Sequence, residues 1–305
     1  MFTLRKHVVL PRFAALLVFQ FMLAAVVAQA GVTVQERLAR FTPKEFQQLQ
    51  NLARHGDPNA QAALAVAYEE GIQVQQDMVE AVKWYRLSAA QGNTEAQHHL
   101  GVVYEKGRGV TQSYTEAVAW YRKAAALGHV PSQCNLGNLY RTGHGVPVDF
   151  EQAAKWYEVA ARQGDAQSQS NLGYMYDHGE GVVQDVVQAL HWYRKSAEQG
   201  YAMAERNLGV MYVMGRGVAP NEEEAMGWFQ KAAAQGLARA FINEAILYMQ
   251  GTQTPRNYAQ ASRLLQQAMQ AGDDAAKPLL EQCRAWIAKP PVTEMGAVAS
   301  PPNGP

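Results

Sequence analysis

A glycine recurs every 36 residues along most of this 305-residue chain. It occupies seven positions of one phase: Gly56, Gly92, Gly128, Gly164, Gly200, Gly236 and Gly272. Other residues keep the same phase, among them an aromatic pair that begins at Trp84-Tyr85 and a tyrosine that begins at Tyr68. A fixed period of this length is typical of proteins built from stacked repeats. Six uninterrupted units therefore span residues 56–271.

Each unit carries two amphipathic patterns, which predict two helices, A and B. In the second unit, the apolar and small residues of helix A fall on one helical stripe: Ala96, Leu100, Val103 and Tyr104. A Gly-x-Gly-Val turn, as at 107–110, then ends helix A, because glycine readily adopts the left-handed conformation of a C-cap. Helix B begins in every unit at a good N-cap residue: Asp77, Ser113, Asp149, Asp185, Asn221 and Asn257. Glu or Gln follows three residues later, which is the spacing of a capping box.

A two-helix unit of this size cannot bury its apolar face alone, but stacked units share a continuous core. We therefore predict an all-α fold, an αα-superhelix (right-handed solenoid) of six 36-residue helix-turn-helix repeats over 56–271. An N-terminal capping helix is expected within 31–55, where 42–45 has the form of a helix start with proline at its first position. A C-terminal capping helix is expected within 272–289, and the Pro-rich tail over 290–305 is expected to be disordered.

The first 30 residues have the features of a signal peptide. Basic residues precede an apolar run over 13–28, and Ala28-Gln29-Ala30 supplies the small-x-small pattern of a cleavage site. The run is shorter than the roughly 20 apolar residues of a spanning helix. We therefore expect cleavage after Ala30, no stable membrane insertion afterwards, and a mature protein that is periplasmic or secreted.

The units share the pattern A-x-x-x-L-G-x-x-Y-x-x-G-x-G-V-x-x-D-x-x-x-A-x-x-W-Y-x-x-A-A-x-x-G, whose second half fits 149–164 closely. This pattern resembles the Sel-1-like repeat (SLR) family, a relative of the tetratricopeptide repeats, and the resemblance covers 56–271. Departures from it lie in the two end units: Ala65, Gln73, Ala245, Gln253, Thr254, Leu264 and Leu265. The resemblance implies an αα-superhelix that serves protein–protein interaction, with no catalytic residues in the repeat motif itself.

Enzyme, metal and nucleic-acid functions find little support in the sequence. The 27 basic and 27 acidic residues balance, whereas a nucleic-acid binder needs a basic excess. His98 and His99 are adjacent and diverge on a helix, so no metal or cofactor site is expected. Cys134 and Cys283 lie roughly four units apart, too far for the Cα separation of about 7 Å that a disulfide allows, so no disulfide is expected between them. Some exported members of the family carry a disulfide in each repeat and resemble proteins with β-lactamase activity. This chain lacks those paired cysteines and any Ser-x-x-Lys motif, so the sequence disfavours a β-lactamase activity.

Two ladders of repeated side chains allow either a binding role or a packing role. The Trp-Tyr pairs could stack on sugars, which leaves open a cell-envelope protein that binds peptidoglycan or another polysaccharide. Their constant phase beside alanines favours core packing instead. Asparagines at one phase of helix A favour a bridge between neighbouring units over ligand binding: Asn135, Asn171, Asn207 and Asn243.

A partner-binding surface is predicted on helix A, opposite its core stripe, because helix A lines the concave side of tetratricopeptide-like superhelices. The positions are counted from the glycine that recurs every 36 residues, and they are the third, sixth, tenth and thirteenth residues after it. In the second to fourth units they include polar residues and a tyrosine: His98, Asn138, Arg141, Tyr174 and Asp177. In the last two units they form an apolar stretch: Met203, Val210, Val213, Ile242, Ile246 and Met249. Unless the C-terminal cap or tail covers this stretch, we expect a non-enzymatic scaffold that binds a protein or peptide partner here.

Overall fold

The computed structural model describes residues 33–252 and 255–288, and all regular structure within those ranges is α-helical. The fifteen described helices are α1 (Val34–Leu38), α2 (Pro43–Arg54), α3 (Pro58–Glu70), α4 (Met78–Ala90), α5 (Thr94–Lys106), α6 (Tyr114–Ala126), α7 (Val130–Thr142), α8 (Phe150–Arg162), α9 (Ala166–His178), α10 (Val186–Glu198), α11 (Ala202–Met214), α12 (Glu222–Ala234), α13 (Ala238–Gln250), α14 (Tyr258–Gln270) and α15 (Ala276–Ala288). None of them is long and apolar enough to cross a lipid bilayer. The predicted signal peptide over 1–30 and tail over 290–305 lie outside the described residues.

The chain divides into two compact units, Met1–Asp149 and Phe150–Pro305. In the described part, the N-terminal unit contains α1 to α7 and the C-terminal unit contains α8 to α15. Within each unit, helices pack mainly against their neighbours in sequence, so that α3 and α4 form the first A–B pair and α11 and α12 the fifth. This arrangement confirms the predicted all-α helical-repeat fold. The helix predicted after Thr42 is present as α2, and the short helix α1 adds to the sequence prediction.

The two glycines of the Gly-x-Gly turn meet different structural requirements. Gly143 caps α7 in the left-handed region, with φ 74°, and its N–H donates to the carbonyl of Leu139. Gly145 also has φ 74°, and a Cβ there would lie 2.4 Å from the carbonyl carbon of Tyr114 at the start of α6. The first glycine therefore ends helix A, and the second lets the turn pack against the preceding helix B.

The first repeat replaces the second of these glycines by Gln73, which also has a left-handed φ of 59°. Its side-chain amide donates hydrogen bonds to the carbonyls of Leu38 and Phe41 in the N-terminal segment. These hydrogen bonds offset the strain of a side chain in this backbone region. The departure at Gln73 is therefore explained by its contact with the N-terminal cap.

The second residue of each aromatic pair forms the centre of the repeat core. All five such residues are buried: Tyr85, Tyr121, Tyr157, Tyr193 and Phe229. Gly101 on α5 makes room for Tyr121, since a Cβ at Gly101 would lie 2.4 Å from Tyr121 Cε1. The prediction of core packing is confirmed for these side chains.

The prediction of core packing is wrong for most of the tryptophans in these pairs, because they lie at the border of the core. Only Trp192 is buried; Trp84, Trp120, Trp156 and Trp228 are half-buried. A lysine three residues later covers the exposed side of several rings, with Lys123 Nζ 3.9 Å from the ring centroid of Trp120. The covered indoles stabilise the rim of the core through packing and cation–π contact.

Candidate functional site

Helix A presents an exposed stripe, but the stripe is rotated from the predicted one. On α11, Met203 is 46% exposed and Met214 is 65% exposed, with half-buried Asn207 and Val210 between them. These four residues are spaced i, i+4, i+7 and i+11, so they lie along one side of the helix. The exposed stripe therefore follows the third, seventh, tenth and fourteenth positions, whereas the sixth and thirteenth positions contact neighbouring helices.

His98, at a sixth position, belongs to a histidine cluster between α5 and α7. Its Nδ1 lies 2.9 Å from Ser132 Oγ, which also lies 2.9 Å from His129 Nδ1. The ring centroid of His98 is 4.7 Å from that of His129 and 5.9 Å from that of His99. His129 Nε2 faces Glu95 Oε1 at 3.4 Å. Half-buried His98 therefore bridges two successive A helices.

Burial favours the neutral forms of His98 and His99. It lowers the pKa of His98 to about 4, and the neighbouring His129 and His99 reinforce the shift. Burial also lowers the pKa of His99, although the Glu69 carboxylate 3.6 Å away opposes the shift. His98 is therefore neutral at pH 7, and a neutral imidazole can both accept and donate a hydrogen bond.

Ser132, His129 and Glu95 have the composition of a catalytic triad but not its access. Ser132 is 0% exposed, so its hydroxyl cannot reach a substrate. The same phase in other repeats carries only small buried residues: Ala60, Ala96, Ser168, Ala204 and Ala240. Ser132 therefore has a packing role between α5 and α7. Among the described residues, no group of His, Cys, Asp or Glu is placed to hold a metal ion. Cys134 and Cys283 are buried thiols that form no disulfide.

Asp177 is buried, which corrects its predicted place on the exposed surface. Its Oδ1 lies 2.7 Å from Arg216 Nη2, in the turn of the next repeat. Glu69 has the same phase in the N-terminal unit, where it accepts hydrogen bonds of 2.6 Å from the Tyr85 hydroxyl and from Arg108 Nη2. An acidic residue thirteen positions after the recurring glycine therefore joins its own repeat to the turn of the next repeat.

Ile242 and Met249 are also buried, which corrects the predicted apolar groove. They belong to the core cluster that α13 forms with α14 and α15, together with Leu265 and Cys283. Ile246 is half-buried against the same cluster. Helix α14 and the C-terminal capping helix α15 share one core with this part of helix A, so Ile242 and Met249 do not line an open groove.

The other predicted residues lie at intermediate depth or at the surface. Val210 and Val213 are half-buried against the cluster around Phe229. Asn138 and Arg141 are half-buried on α7, in the N-terminal unit. The structure therefore does not bring the predicted set together on one open surface.

An exposed apolar surface does exist on the C-terminal unit, and we name it the C-terminal patch: Tyr174, Met203, Val210 and Met214. Tyr174 on α9 is 36% exposed, has the phase of Val210, and stacks on His178 with ring centroids 4.0 Å apart. Met214 is absent from the predicted set. Met214 follows Met203 by eleven residues, a spacing that places both on the same side of a helix, so the sequence could have indicated it.

Arg206 lies on α11, the helix that carries three of the four residues of the C-terminal patch. It lacks a carboxylate partner within the described ranges. Its Nη1 donates to Asn207 Oδ1 at 3.0 Å, while its buried Nε has no hydrogen-bond partner. Burial lowers the pKa of Arg206, and the nearby Arg239 cation adds to the effect. A half-buried guanidinium without a carboxylate partner favours the approach of an anionic group.

Comparison with known proteins agrees with this architecture. The family model of the Sel1 repeat matches the chain over 58–93, 94–129, 130–165, 166–201, 202–237 and 245–273. Among curated proteins, none matches the chain.

Two solved structures are similar to the chain along most of its length. One is a protective antigen of uropathogenic Escherichia coli strains that displays an SLR fold, with 32% sequence identity and a TM-score of 0.77. That match covers 91% of this chain and 58% of the antigen, so the chain spans little more than half the antigen's length. The other is a Sel1 repeat protein from Oxalobacter formigenes, with 29% identity and a TM-score of 0.68, covering 82% of this chain and 96% of that protein.

Proposed function

This chain belongs to the Sel1 repeat family, and we propose that it is an exported, non-enzymatic scaffold that binds a protein partner. Helical repeats of this kind typically bind proteins, because stacked units present an extended surface of side chains. Export is supported by the basic residues, apolar run and Ala-Gln-Ala pattern of the first 30 residues. The proposed destination is the periplasm or the exterior of a bacterial cell.

The observation that carries the proposed binding role is the C-terminal patch. Met203, Met214 and Tyr174 are large, apolar and exposed on two A helices of one unit. Exposed apolar surface of this kind is unfavourable in water and commonly marks a protein contact. Methionine side chains also adapt their shape to a partner.

Arg206 lies next to Asn207 of the exposed stripe and adds a charge requirement to the proposed partner. Its guanidinium is half-buried and lacks a carboxylate partner among the described residues, which favours a partner segment that brings an Asp or Glu side chain. The proposed partner segment therefore combines an apolar residue for the C-terminal patch with a carboxylate for Arg206.

Site-specific crosslinking in intact cells tests this surface. A photo-crosslinking amino acid is introduced in place of Met203, of Met214 or, as a control, of Leu87, which is equally exposed on the B helix α4. Positions 203 and 214 are expected to capture the same protein, and position 87 is not. Arg206→Gln is expected to weaken that capture in both patch variants.

Equal capture from position 87, or unrelated proteins captured from positions 203 and 214, would contradict the proposed surface. Circular dichroism of each variant checks that it is folded, which is expected because all three side chains are exposed.

Export is tested separately by sequencing the N-terminus of the protein recovered from the cell envelope or the medium. A mature protein that begins at Gly31 is expected. Recovery of residues 1–30 on the exported protein would show that the segment is not removed.

A further inference from the structure

An arginine–tyrosine hydrogen bond closes the seam between successive repeats at three places. The arginine lies on helix B of one repeat, and the tyrosine lies 18 residues later on helix A of the next. The bonds join Arg86 to Tyr104 at 2.7 Å, Arg122 to Tyr140 at 2.6 Å, and Arg194 to Tyr212 at 3.2 Å. In the first two pairs the guanidinium also lies within 6 Å of the tyrosine ring, at 5.9 and 5.6 Å from its centroid.

Glu158 interrupts this series inside the C-terminal unit. It takes the place of the arginine on α8, and the tyrosine that follows 18 residues later is Tyr176. The Glu158 carboxylate pairs with Arg162 on its own helix, at 2.6 Å. Half-buried Tyr176 therefore lacks the arginine that covers Tyr104, Tyr140 and Tyr212; Gln230 makes a similar replacement before Tyr248.

An open groove lies where the arginine is missing. It has two lobes of about 230 and 640 Å³ that share Glu158, Tyr176 and Val182. Buried Trp192 lines the larger lobe, and Val183 at its rim is 88% exposed. The larger lobe exceeds the volume of one arginine side chain, so a partner residue can enter without displacing the helices.

The groove carries one more acidic side chain than basic ones, with Glu151, Glu158 and Asp185 against Lys155 and Arg162. Asp185 already accepts hydrogen bonds from the backbone of α10, so Glu158 is the carboxylate that faces the Tyr176 ring. Arg162 is held by an exposed i,i+4 ion pair, and such pairs contribute little to stability. An incoming guanidinium can therefore share or replace Arg162 at low energetic cost.

We propose that the groove at Glu158 and Tyr176 binds an arginine side chain carried by a partner polypeptide. The guanidinium occupies the place that Arg86, Arg122 and Arg194 occupy at the other seams. It donates to the Tyr176 hydroxyl and pairs with Glu158, while the flanking partner residues contact Val182 and Val183. The groove shares no residue with the C-terminal patch, so this proposal stands or fails independently of the proposed function.

Calorimetric titration of the purified chain with a short peptide tests the proposal. The probe is acetyl-Ala-Val-Arg-Val-Ala-amide, and its matched control carries citrulline, which keeps the shape of arginine without its charge. The arginine peptide is expected to bind with Kd below about 1 mM, and the citrulline peptide at least tenfold more weakly. Equal binding of the two peptides, or no binding of the arginine peptide, would overturn the proposal.

Two substitutions at Glu158 separate the charge from the groove. Glu158→Arg supplies the missing arginine in cis, so it is expected to raise the Tm and to abolish peptide binding. Glu158→Gln keeps the groove open and is expected to weaken binding of the arginine peptide about tenfold. Glu281→Arg on α15 makes the same charge change at a distant exposed residue and should leave binding unchanged. Undiminished binding by Glu158→Arg would refute the proposed site even if the peptide binds elsewhere.

Discussion

Arg108 Nη2 lies 2.6 Å from Glu69 Oε1, although the two residues are 39 positions apart in the chain. Glu69 lies in the last turn of helix A of the first repeat, and Arg108 lies in the turn that follows helix A of the second. Asp177 and Arg216 repeat the same relationship in the C-terminal unit. The turn between helices A and B thus has a second role beyond ending helix A, since it ties consecutive repeats together.

Glu69→Gln tests the energetic importance of this tie. The substitution keeps the shape and one acceptor for the Tyr85 hydroxyl, but it removes the charge that pairs with Arg108. A loss of about 1–3 kcal/mol in the free energy of unfolding is expected, because hydrogen bonds to charged groups are the stronger kind. Glu70→Gln, at the exposed neighbouring residue, should change stability by less than about 0.5 kcal/mol. Similar urea midpoints for the two variants would disprove the stabilising role of Glu69.

Stability is expected to fall between pH 6.5 and pH 4 because of His98. Its folded pKa is about 4, against an ordinary value of 6.5, so the unfolded chain binds more protons in this window. At about 1.4 kcal/mol per unit of pKa difference, the loss by pH 4 is roughly 2–3 kcal/mol. The hydrogen bond to His129 lowers the pKa of Glu95, which adds a further loss below pH 4.5.

Denaturation series across this pH range measure the effect. His98→Gln should flatten the dependence, whereas His55→Gln, at an exposed histidine, should leave it unchanged. A His98→Gln variant with the slope of the original chain would show that another group is responsible.

Glu205 occupies a position where earlier repeats have glutamine. In the preceding repeat, Gln169 donates to the Ala161 carbonyl at 3.0 Å and accepts from Gln199 at 2.7 Å. Buried Glu205 keeps the second of these bonds, from Gln235 at 2.8 Å, but an ionised carboxylate cannot donate the first. Burial also raises the pKa of Glu205.

Glu205→Gln is therefore expected to stabilise the protein by about 1 kcal/mol at pH 7. A raised carboxyl pKa means that the folded chain binds more protons than the unfolded chain, so Glu205 becomes more destabilising as the pH rises above 4.5. The gain should accordingly be larger at pH 8 than at pH 4. The reciprocal change, Gln169→Glu, should lower stability at pH 7. Thermal melts of both variants decide the matter, and a destabilised Glu205→Gln would contradict the comparison between repeats.

Two helical glycines are expected to respond in opposite ways to alanine. A Cβ at Gly101 meets the ring of Tyr121, so Gly101→Ala should cost about 1–3 kcal/mol through overpacking. A Cβ at Gly227 on α12 meets nothing within 4 Å, so Gly227→Ala should gain about 0.5–1 kcal/mol through helix propensity. Urea denaturation of both variants provides the comparison. A stabilised Gly101→Ala would mean that the core can relax around Tyr121.

The helix boundaries followed from local sequence signals. Asp77, Ser113, Asp185, Asn221 and Asn257 each accept a hydrogen bond from the backbone of the helix that they were predicted to cap. Such bonds join residues two or three positions apart, so they depend on neither the next repeat nor the far end of the chain. The same helix start and stop signals recur every 36 residues, and this recurrence predicts the stacked-repeat architecture.

Exposure on helix A, in contrast, was decided by the tertiary structure. Met203 and Ile242 are both apolar residues of the predicted surface, yet Met203 is exposed and Ile242 is buried beneath the C-terminal helices. The periodicity of one helix shows which residues share a side, but not which neighbouring helix covers that side. Glu158 is a further case: its charge is evident from the sequence, while the groove beside Tyr176 is formed by residues of α8, α9 and α10 that only the packing of two repeats brings together.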